Sequence, residues 1–589
     1  MITIAGTCGP RCESLTDRVI IDMARIMGTE AECLTYSEPC FRLSVPQHEL
    51  ATSRHHRFLF HQASDDLLYG CVIGEWYYQQ ELTNPARHLL NLIKQQSKKS
   101  SPHILDPALL NQLDGIYLAI VFDQKNRKTH FISDRLGLRP LYFLNQKGRL
   151  FWASEPKAFL ACPGFSPELD PDALKQYLAH DFLRGNHTLL SGVKLMPAAT
   201  LRTYDIADAT CKDHIWWKWS HSPDNDIPPP DKEDEYAEEL ARLFRQSVTE
   251  RSRLLETPAG EPFATPGHKK PSGKKTRPLW NIGLGLSGGL DSRAILSALP
   301  NPERCYLFTF GRKESPERLV AEQVSQKVGL PLHFMEINEK NWLLPRFRGV
   351  WWTDGQANIM HMHGLEHAAE IGSQIDIQLN GGIQNFVRGA LSGPDASWEW
   401  DRLRRFQRMG TLLDDRYMIT RFPFYDYQIL DFISGLHPEW VQNDRLYLTM
   451  LQNHFGSLFH GVAYSNIGYP IDARFQKVRF FLFRIKRRLG FVNPAFHNYP
   501  SWIQHQLPLF RTFLDSPQTR LSDHGYRSEI LSLLKRYKAG TRRRHYPEKN
   551  PGGHAAFHVK ELKTGETLCR FLTIELYLRF LEDPPPEYS

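Results

Sequence analysis

The chain has 589 residues, enough for two or three domains with sizeable cores. Hydrophobic residues make up 41% and charged residues 23%, an ordinary globular balance, and a net charge of +7 permits an acidic partner without requiring nucleic acid. No apolar stretch is long enough to span a bilayer, no signal-peptide pattern opens the chain, and the nine cysteines lack the Cys/His company of a zinc site, so the expectation is a cytoplasmic protein with free thiols and no transmembrane segment.

Residues 1–6 read as an opening strand. An apolar run at 67–73 gives a second, and 114–123 a third, which turns through polar residues 124–128 into a hairpin partner at 129–133. Residues 141–144 and 150–153 pair around Gln146-Lys147-Gly148, and 171–180 follow a helical pattern. Many strands with few long helices predict a two-layer sheet domain. Residues 221–232, rich in Pro and Asp, read as a linker, and 233–253 as a charged amphipathic helix. The stretch 257–278 carries Lys269, Lys270, Lys274 and Lys275 among Pro and Gly. It reads either as a flap that attracts phosphate or an acidic peptide, or as a solvated loop.

Residues 281–296 organise the rest. Ile282, Leu284 and Leu286 form a short buried strand, Ser287-Gly288-Gly289 a tight loop, and Asp291-Ser292 open an apolar helix. Two adjacent glycines allow close backbone approach, and the N–H groups of the loop and helix start favour an anion. Asp291 is suited to hold a cation such as Mg²⁺ whose other ligands are phosphates. Strands at 305–310, 332–337 and 375–379 around a helix at 317–328 predict a parallel, doubly wound sheet. Residues 475–488 mix aromatics with Lys477, Arg479, Arg484, Lys486, Arg487 and Arg488. They read either as a basic amphipathic helix for a membrane or an acidic peptide partner, or as a packed helix with a solvated basic face. A basic loop at 542–547, with Arg542 to Arg544, and a final helix at 567–581 close the chain.

The string Ser287-Gly288-Gly289-Leu290-Asp291-Ser292 resembles the pyrophosphate loop of the N-type ATP pyrophosphatases, which release AMP and pyrophosphate. Upstream, Gly74-Glu75-Trp76-Tyr77, Leu113-Asp114-Gly115, Ser133-Asp134-Arg135-Leu136-Gly137 and Ala153-Ser154-Glu155 are similar to the class II glutamine amidotransferase domain. In this order the two resemble the asparagine synthetase family over most of residues 1–435. The resemblance implies an α/β protein: an N-terminal Ntn-hydrolase-like αββα sandwich at 1–215, a linker, helix and basic loop at 216–280, and a doubly wound, adenine-nucleotide α-hydrolase-like domain with a divergent end at 281–589. It implies ATP and Mg²⁺ as cofactors. Ser287 to Ser292 would meet the pyrophosphate, Asp291 the Mg²⁺, and main chain around Leu286, Thr309, Phe310, Asn380 and Gly381 the nucleotide. Arg421 opens Arg421-Phe422-Pro423-Phe424-Tyr425-Asp426, similar to the family's Arg-x-Pro-Phe-Leu-Asp beside the substrate pocket, and could hold a carboxylate or a phosphate there. Asp426 reads as an N-cap, a core ion-pair partner or a substrate group. In relatives a late basic segment closes over the pyrophosphate; no motif in 542–544 selects such a residue.

Two departures qualify the resemblance. The family's Ser-Gly-Glu-Gly-x-Asp-Glu string falls on Asn380-Gly381-Gly382-Ile383-Gln384-Asn385-Phe386. Gly382 has no side chain where the family has a proton-transferring Glu, and Asn385 offers Mg²⁺ only a weak, neutral oxygen where the family has Asp. The amidotransferase reaction uses an N-terminal Cys, but Ile2 follows Met1, so the first domain is expected to lack glutaminase activity. Cys8 reads as a buried loop thiol, or as an N-terminus only after removal of residues 1–7. The expected function is ATP-dependent amide-bond formation. A small-molecule or peptide carboxylate is activated as an acyl-adenylate and attacked by ammonia or a substrate amine, as in β-lactam synthetases and lasso peptide macrolactam cyclases. The alternative is a catalytically degenerate member that binds a nucleotide or peptide as a partner protein.

Overall fold

A computed structural model describes residues 3–9, 17–28, 33–46, 59–65, 67–77, 84–96, 104–219, 232–253, 282–392, 396–465, 467–488, 495–541 and 555–585. The expectations for Met1 and Ile2, for most of the 221–232 linker, for the lysine-bearing stretch 257–278 and for the basic loop 542–547 lie outside the described residues.

The first half alternates short strands whose inward faces are apolar. In chain order these are β1 (Ala5–Cys8), β2 (Cys33–Glu38), β3 (Phe41–Pro46), β4 (Phe60–Asp65), β5 (Leu68–Trp76), β6 (Gly115–Asp123), β7 (Lys128–Ser133), β8 (Tyr142–Gln146), β9 (Arg149–Ala153), β10 (Val193–Leu195), β11 (Thr200–Asp205) and β12 (Thr210–Ile215). Among the described residues they form two antiparallel six-stranded sheets, in the orders β10-β8-β9-β1-β3-β2 and β12-β11-β7-β6-β5-β4. Phe41 and Trp152 of one sheet meet Phe122 and Phe131 of the other between the layers. The period-two alternation turns Ala5, Tyr142, Leu144 and Phe151 to the opposite face, where the helix Asp17–Met27 buries Ile20, Met23 and Met27 on them. The helix Pro85–Gln96 covers the second sheet through Leu89 and Leu90. The result is the expected αββα sandwich, with both covering helices additional to the predicted elements. Pro171–His180 forms as predicted: Asp170 caps it by accepting from the Asp172 and Ala173 amides, and Pro171 occupies the first turn.

The second half holds β13 (Ile282–Gly285), β14 (Cys305–Gly311), β15 (Leu332–Glu336), β16 (Ile377–Leu379) and β17 (Ile419–Arg421). All pair in parallel, in the order β15-β14-β13-β16-β17. The order reverses direction between β13 and β16, which opens a crevice at the carboxyl ends of these two strands. Helices dominate the remainder, and the last, Ala555–Glu582, is longer than the expected 567–581. None among the described residues is long and apolar enough to cross a membrane.

Buried arginines join the halves. Arg251 contacts Asp114 and Asp426, each at 2.8 Å. Arg135 grips Asp431 at 2.6 and 3.1 Å. Such pairs are costly to break from one side, because a buried charge is left uncompensated.

Candidate functional site

A cavity of about 400 Å³ opens at the carboxyl ends of β13, β14 and β16. Its walls include Leu286, Ser287, Phe308, Thr309, Phe310, Asn380, Gly381 and Gly382. The volume suits a ligand of nucleotide size. The expected nucleotide residues Leu286, Ser287, Thr309, Phe310, Asn380 and Gly381 therefore share one space, brought together by strand order rather than by sequence spacing.

Of the pyrophosphate-loop residues Ser287 lines the cavity, and the rest of the loop continues from it into the helix Asp291–Ala298. The Ser287 amide donates to Ser292 Oγ at 3.2 Å, the two hydroxyls lie 3.3 Å apart, and the Gly289 amide donates to Ser287 Oγ at 3.1 Å. Arg293 fixes the loop from below, donating to the carbonyls of Gly288 and Gly289, each at 2.9 Å. Gly288 allows a close approach: a Cβ there would lie 2.5 Å from Ser465 Cβ and 3.0 Å from Glu317 Cα. Leu290 is buried beneath the loop, and Asp291 and Ser292 begin the helix Asp291–Ala298.

Asp291 is fully engaged. Tyr447 donates to Oδ1 at 2.7 Å, and Gln384 donates to Oδ2 at 3.1 Å. Arg388 lies 3.5 Å from Oδ2 and binds Asp444 with two donors at 3.1 and 2.6 Å. The guanidinium thus bridges two acids where a divalent cation was expected. Burial holds the Asp291 carboxyl above the ordinary carboxylate range, against the opposing effects of Arg388 and Tyr447.

Two expectations are corrected here. Asn385 does not reach Asp291; its amide donates to Glu399 at 3.3 Å and its carbonyl oxygen accepts from Gln407 at 3.1 Å. It is Gln384, one residue earlier, that meets Asp291, so the two residues expected to share Mg²⁺ do not share a hydrogen-bond network here. Arg421 does not line the cavity. It is buried in an ion pair with Glu75 of the first domain and donates to the carbonyls of Arg251 and Arg253. Asp426 fulfils two of its three readings, capping the helix Tyr427–Ser434 and pairing with Arg251. Cys8 is buried, but at the end of strand β1 rather than in a loop.

The Asn380–Phe386 turn is strained. Ile383, a β-branched residue, has φ of +59° and is fully buried. Its amide donates to Gln407 at 3.2 Å, and Asn380 closes the turn by accepting from the Gly382 amide at 2.7 Å. Gln407 thereby holds both Ile383 and Asn385 from outside the turn.

Two acids in the cavity wall were not singled out from the sequence. Burial pushes Glu317 up to about 7. Asp414 is also raised to about 7, by burial first and by its neighbour Asp415, with Arg408 opposing. His361 and His363 line the wall as well; burial, and then Arg346, keep His363 well below the ordinary histidine range. The Ser315-Pro316-Glu317 helix start after β14 was a local signal for Glu317. The residues around Asp291, which lie as far along the chain as Tyr447, had none.

Comparison with known proteins follows the same division. Residues 104–217 match the model of the glutamine amidotransferase domain, and residues 275–381 that of asparagine synthase. The chain thus matches a glutamine amidotransferase domain followed by an asparagine synthase domain, the two parts in that order. It is 24% identical over 358 residues to a probable glutamine-hydrolyzing asparagine synthetase of Acanthamoeba polyphaga mimivirus, covering 56% of this chain and 58% of that protein. It is 23% identical over 331 residues to the amidase chry2 of Gibberella zeae, covering 49% and 43%. The chain spans about half the length of these curated relatives. Among solved structures, the glutamine phosphoribosylpyrophosphate amidotransferase of B. subtilis aligns over 72% of this chain and 81% of its own, at 12% identity and a TM-score of 0.24.

Proposed function

We propose that this asparagine synthetase-family chain is an ATP-dependent ligase that forms an amide bond. The observation that carries this reading is that Ser287, which opens the Ser287–Ser292 loop, and the ends of three parallel strands line one nucleotide-sized cavity. ATP supplies the activating chemistry: a carboxylate becomes an acyl-adenylate with release of pyrophosphate, and an amine then displaces AMP. In this reading the hydroxyls of Ser287 and Ser292 and the loop amides hold the phosphates. Main chain at Leu286, Thr309 and Gly381 aligns the nucleotide, and Phe308 and Phe310 exclude water from it. Arg388 supplies positive charge beside Asp291.

The amine is taken to be free ammonia or part of the substrate, as in β-lactam synthetases and lasso peptide macrolactam cyclases. Cys8 is buried in a strand paired on both edges, so its thiol is not presented to glutamine. The mimivirus relative is named as glutamine-hydrolyzing, which makes glutamine the competing nitrogen source.

Calorimetric titration of the full chain with Mg-ATP tests the nucleotide site, with Asp291→Ala as control. A heat that is lost or weakened in the variant supports the reading; no heat from either protein overturns it. A pyrophosphate-release screen of carboxylic acids and peptides, with ammonia and glutamine in separate arms, then identifies the substrates.

A second reading is favoured by the saturated Asp291 and the bare Gly382: a degenerate member that binds nucleotide or peptide without turnover. Turnover that appears only after Gly382→Glu and Asn385→Asp would establish it.

A further inference from the structure

The helix Gln476–Arg488 contains six Lys or Arg and no acid. Ten large apolar side chains are markedly exposed among the described residues, and six of them lie between Phe475 and Ile485. Phe475 is 79% exposed, Phe481 62%, Val478 57% and Leu482 50%, with Phe480 and Ile485 also exposed. Phe483 alone of this group is buried, lying so close to Gly468 that a Cβ there would come 2.6 Å from the ring. One aromatic thus anchors the helix while its apolar face is turned outward, the reverse of a helix packed on a domain.

At about 100° per residue, positions 478, 481, 482 and 485 share one face. Positions 477, 484 and 488 flank it on one side and 479 and 486 on the other, all Lys or Arg. Arg479 and Arg484 are exposed. An apolar stripe between two cationic margins is the pattern of a helix lying in the plane of a membrane surface. The helix has 13 residues and spans about 20 Å, so it lies on a bilayer rather than across it.

An acidic peptide is the competing occupant, because a groove of about 830 Å³ separates this helix from Pro316–Val328. Leu319, Tyr469, Val478 and Leu482 line that groove, but Phe480, Phe481 and Ile485 do not. A peptide seated there leaves Phe481 and Ile485 in water, whereas a bilayer on this face covers them together with Val478 and Leu482. The charge selects the lipid: six cations without an acid complement anionic headgroups.

We propose that Gln476–Arg488 is an in-plane anchor that docks this protein on bilayers carrying anionic lipids. The helix Pro316–Val328 walls the groove beside the anchor and also carries Glu317 into the cavity wall, so one helix joins the anchor to the cavity. The proposal stands independently of the ligase reading.

Co-sedimentation of the full chain with vesicles tests it, comparing phosphatidylcholine alone with phosphatidylcholine containing about 30% phosphatidylglycerol. Expected is binding to the anionic vesicles that added salt weakens, and little binding to neutral ones. Phe481→Ser with Ile485→Ser should lower the affinity at least about tenfold. Arg479→Gln and Arg484→Gln should each cost about fivefold. Leu344→Ser, another exposed apolar residue, should change nothing. Absence of binding to anionic vesicles, or binding indifferent to Phe481 and Ile485, overturns the proposal. So does failure on vesicles together with capture of a labelled acidic amphipathic peptide that depends on Val478 and Leu482.

Discussion

Arg421 and Glu75 lock the two domains together through a bidentate pair, with Nη2 2.6 Å from Oε1 and Nε 3.0 Å from Oε2. Burial works against the guanidinium charge, and Glu75 more than offsets it, so Arg421 holds its proton more firmly than an exposed arginine. Arg421→Ala strands the Glu75 carboxylate and the carbonyls of Arg251 and Arg253. It should cost about 3–5 kcal/mol in chemical denaturation. Because Arg421 does not line the cavity, the folded fraction should bind Mg-ATP as the wild type does; a specific loss of ATP binding at full stability would return Arg421 to the site.

Arg388 between Asp291 and Asp444 carries a second expectation. Replacing it with Met leaves two acids facing each other, with only Tyr447 and Gln384 hydrogen-bonded to Asp291. Arg388→Met should lose roughly 2 kcal/mol, the worth of hydrogen bonds to a charged group. It should also regain part of that loss in millimolar Mg²⁺. The wild-type melting temperature without nucleotide should not respond to Mg²⁺. Thermal melts of both proteins with and without the ion decide this, and a wild-type Mg²⁺ response would show that the guanidinium does not stand in for the cation.

These two arginines show where sequence reading stops. Strand and loop at residues 282–289 were legible because their apolar alternation and paired glycines are local, and the β6–β7 hairpin because its turn is. The strand count predicted a two-layer sheet domain and the family resemblance implied its αββα layering, although the helix Asp17–Met27 was missed. The contacts of Arg421 and Asp291 are set by partners 346 and 156 residues away, which no periodicity records. The Asn385 assignment failed by one residue for a related reason. The turn is held open by Ile383 at positive φ and by Gln407, and this directs Gln384 rather than Asn385 toward Asp291.

The two loop glycines should separate on substitution. In Gly288→Ala the new methyl meets Ser465 Cβ and the Glu317 backbone, neither of which can swing aside, so the loop must move. A loss of about 1–3 kcal/mol and of the Mg-ATP heat is expected. In Gly289→Ala the methyl meets only Ser287 Oγ at 3.0 Å, a hydroxyl that can rotate. That variant should keep stability within about 1 kcal/mol and should still bind nucleotide. Equal behaviour of the two in melting and calorimetry would show that the loop is not held against Ser465 and Glu317.

Glu317 and Asp414 give the cavity a pH dependence with a definite sign. Both are raised to about 7, chiefly by burial, so both are neutral below that pH and ionise above it. Because the folded state holds these protons more tightly than the unfolded chain, the stability they contribute is complete below the ordinary carboxylate range. It falls as pH rises toward 7. Ionisation also places negative charge in a wall that must face a triphosphate. ATP affinity should therefore fall as pH rises from 6 to 8, by roughly tenfold for one unit charge at about 10 Å and an effective dielectric of about 20. The nucleotide's own titration contributes to any such slope, so the decisive comparison is between proteins. Glu317→Gln should flatten the profile by removing one of the two ionising wall charges, and should bind more tightly than the wild type at pH 8. Parallel profiles for the two proteins, measured by calorimetry at matched ionic strength, would show that Glu317 does not face the phosphates.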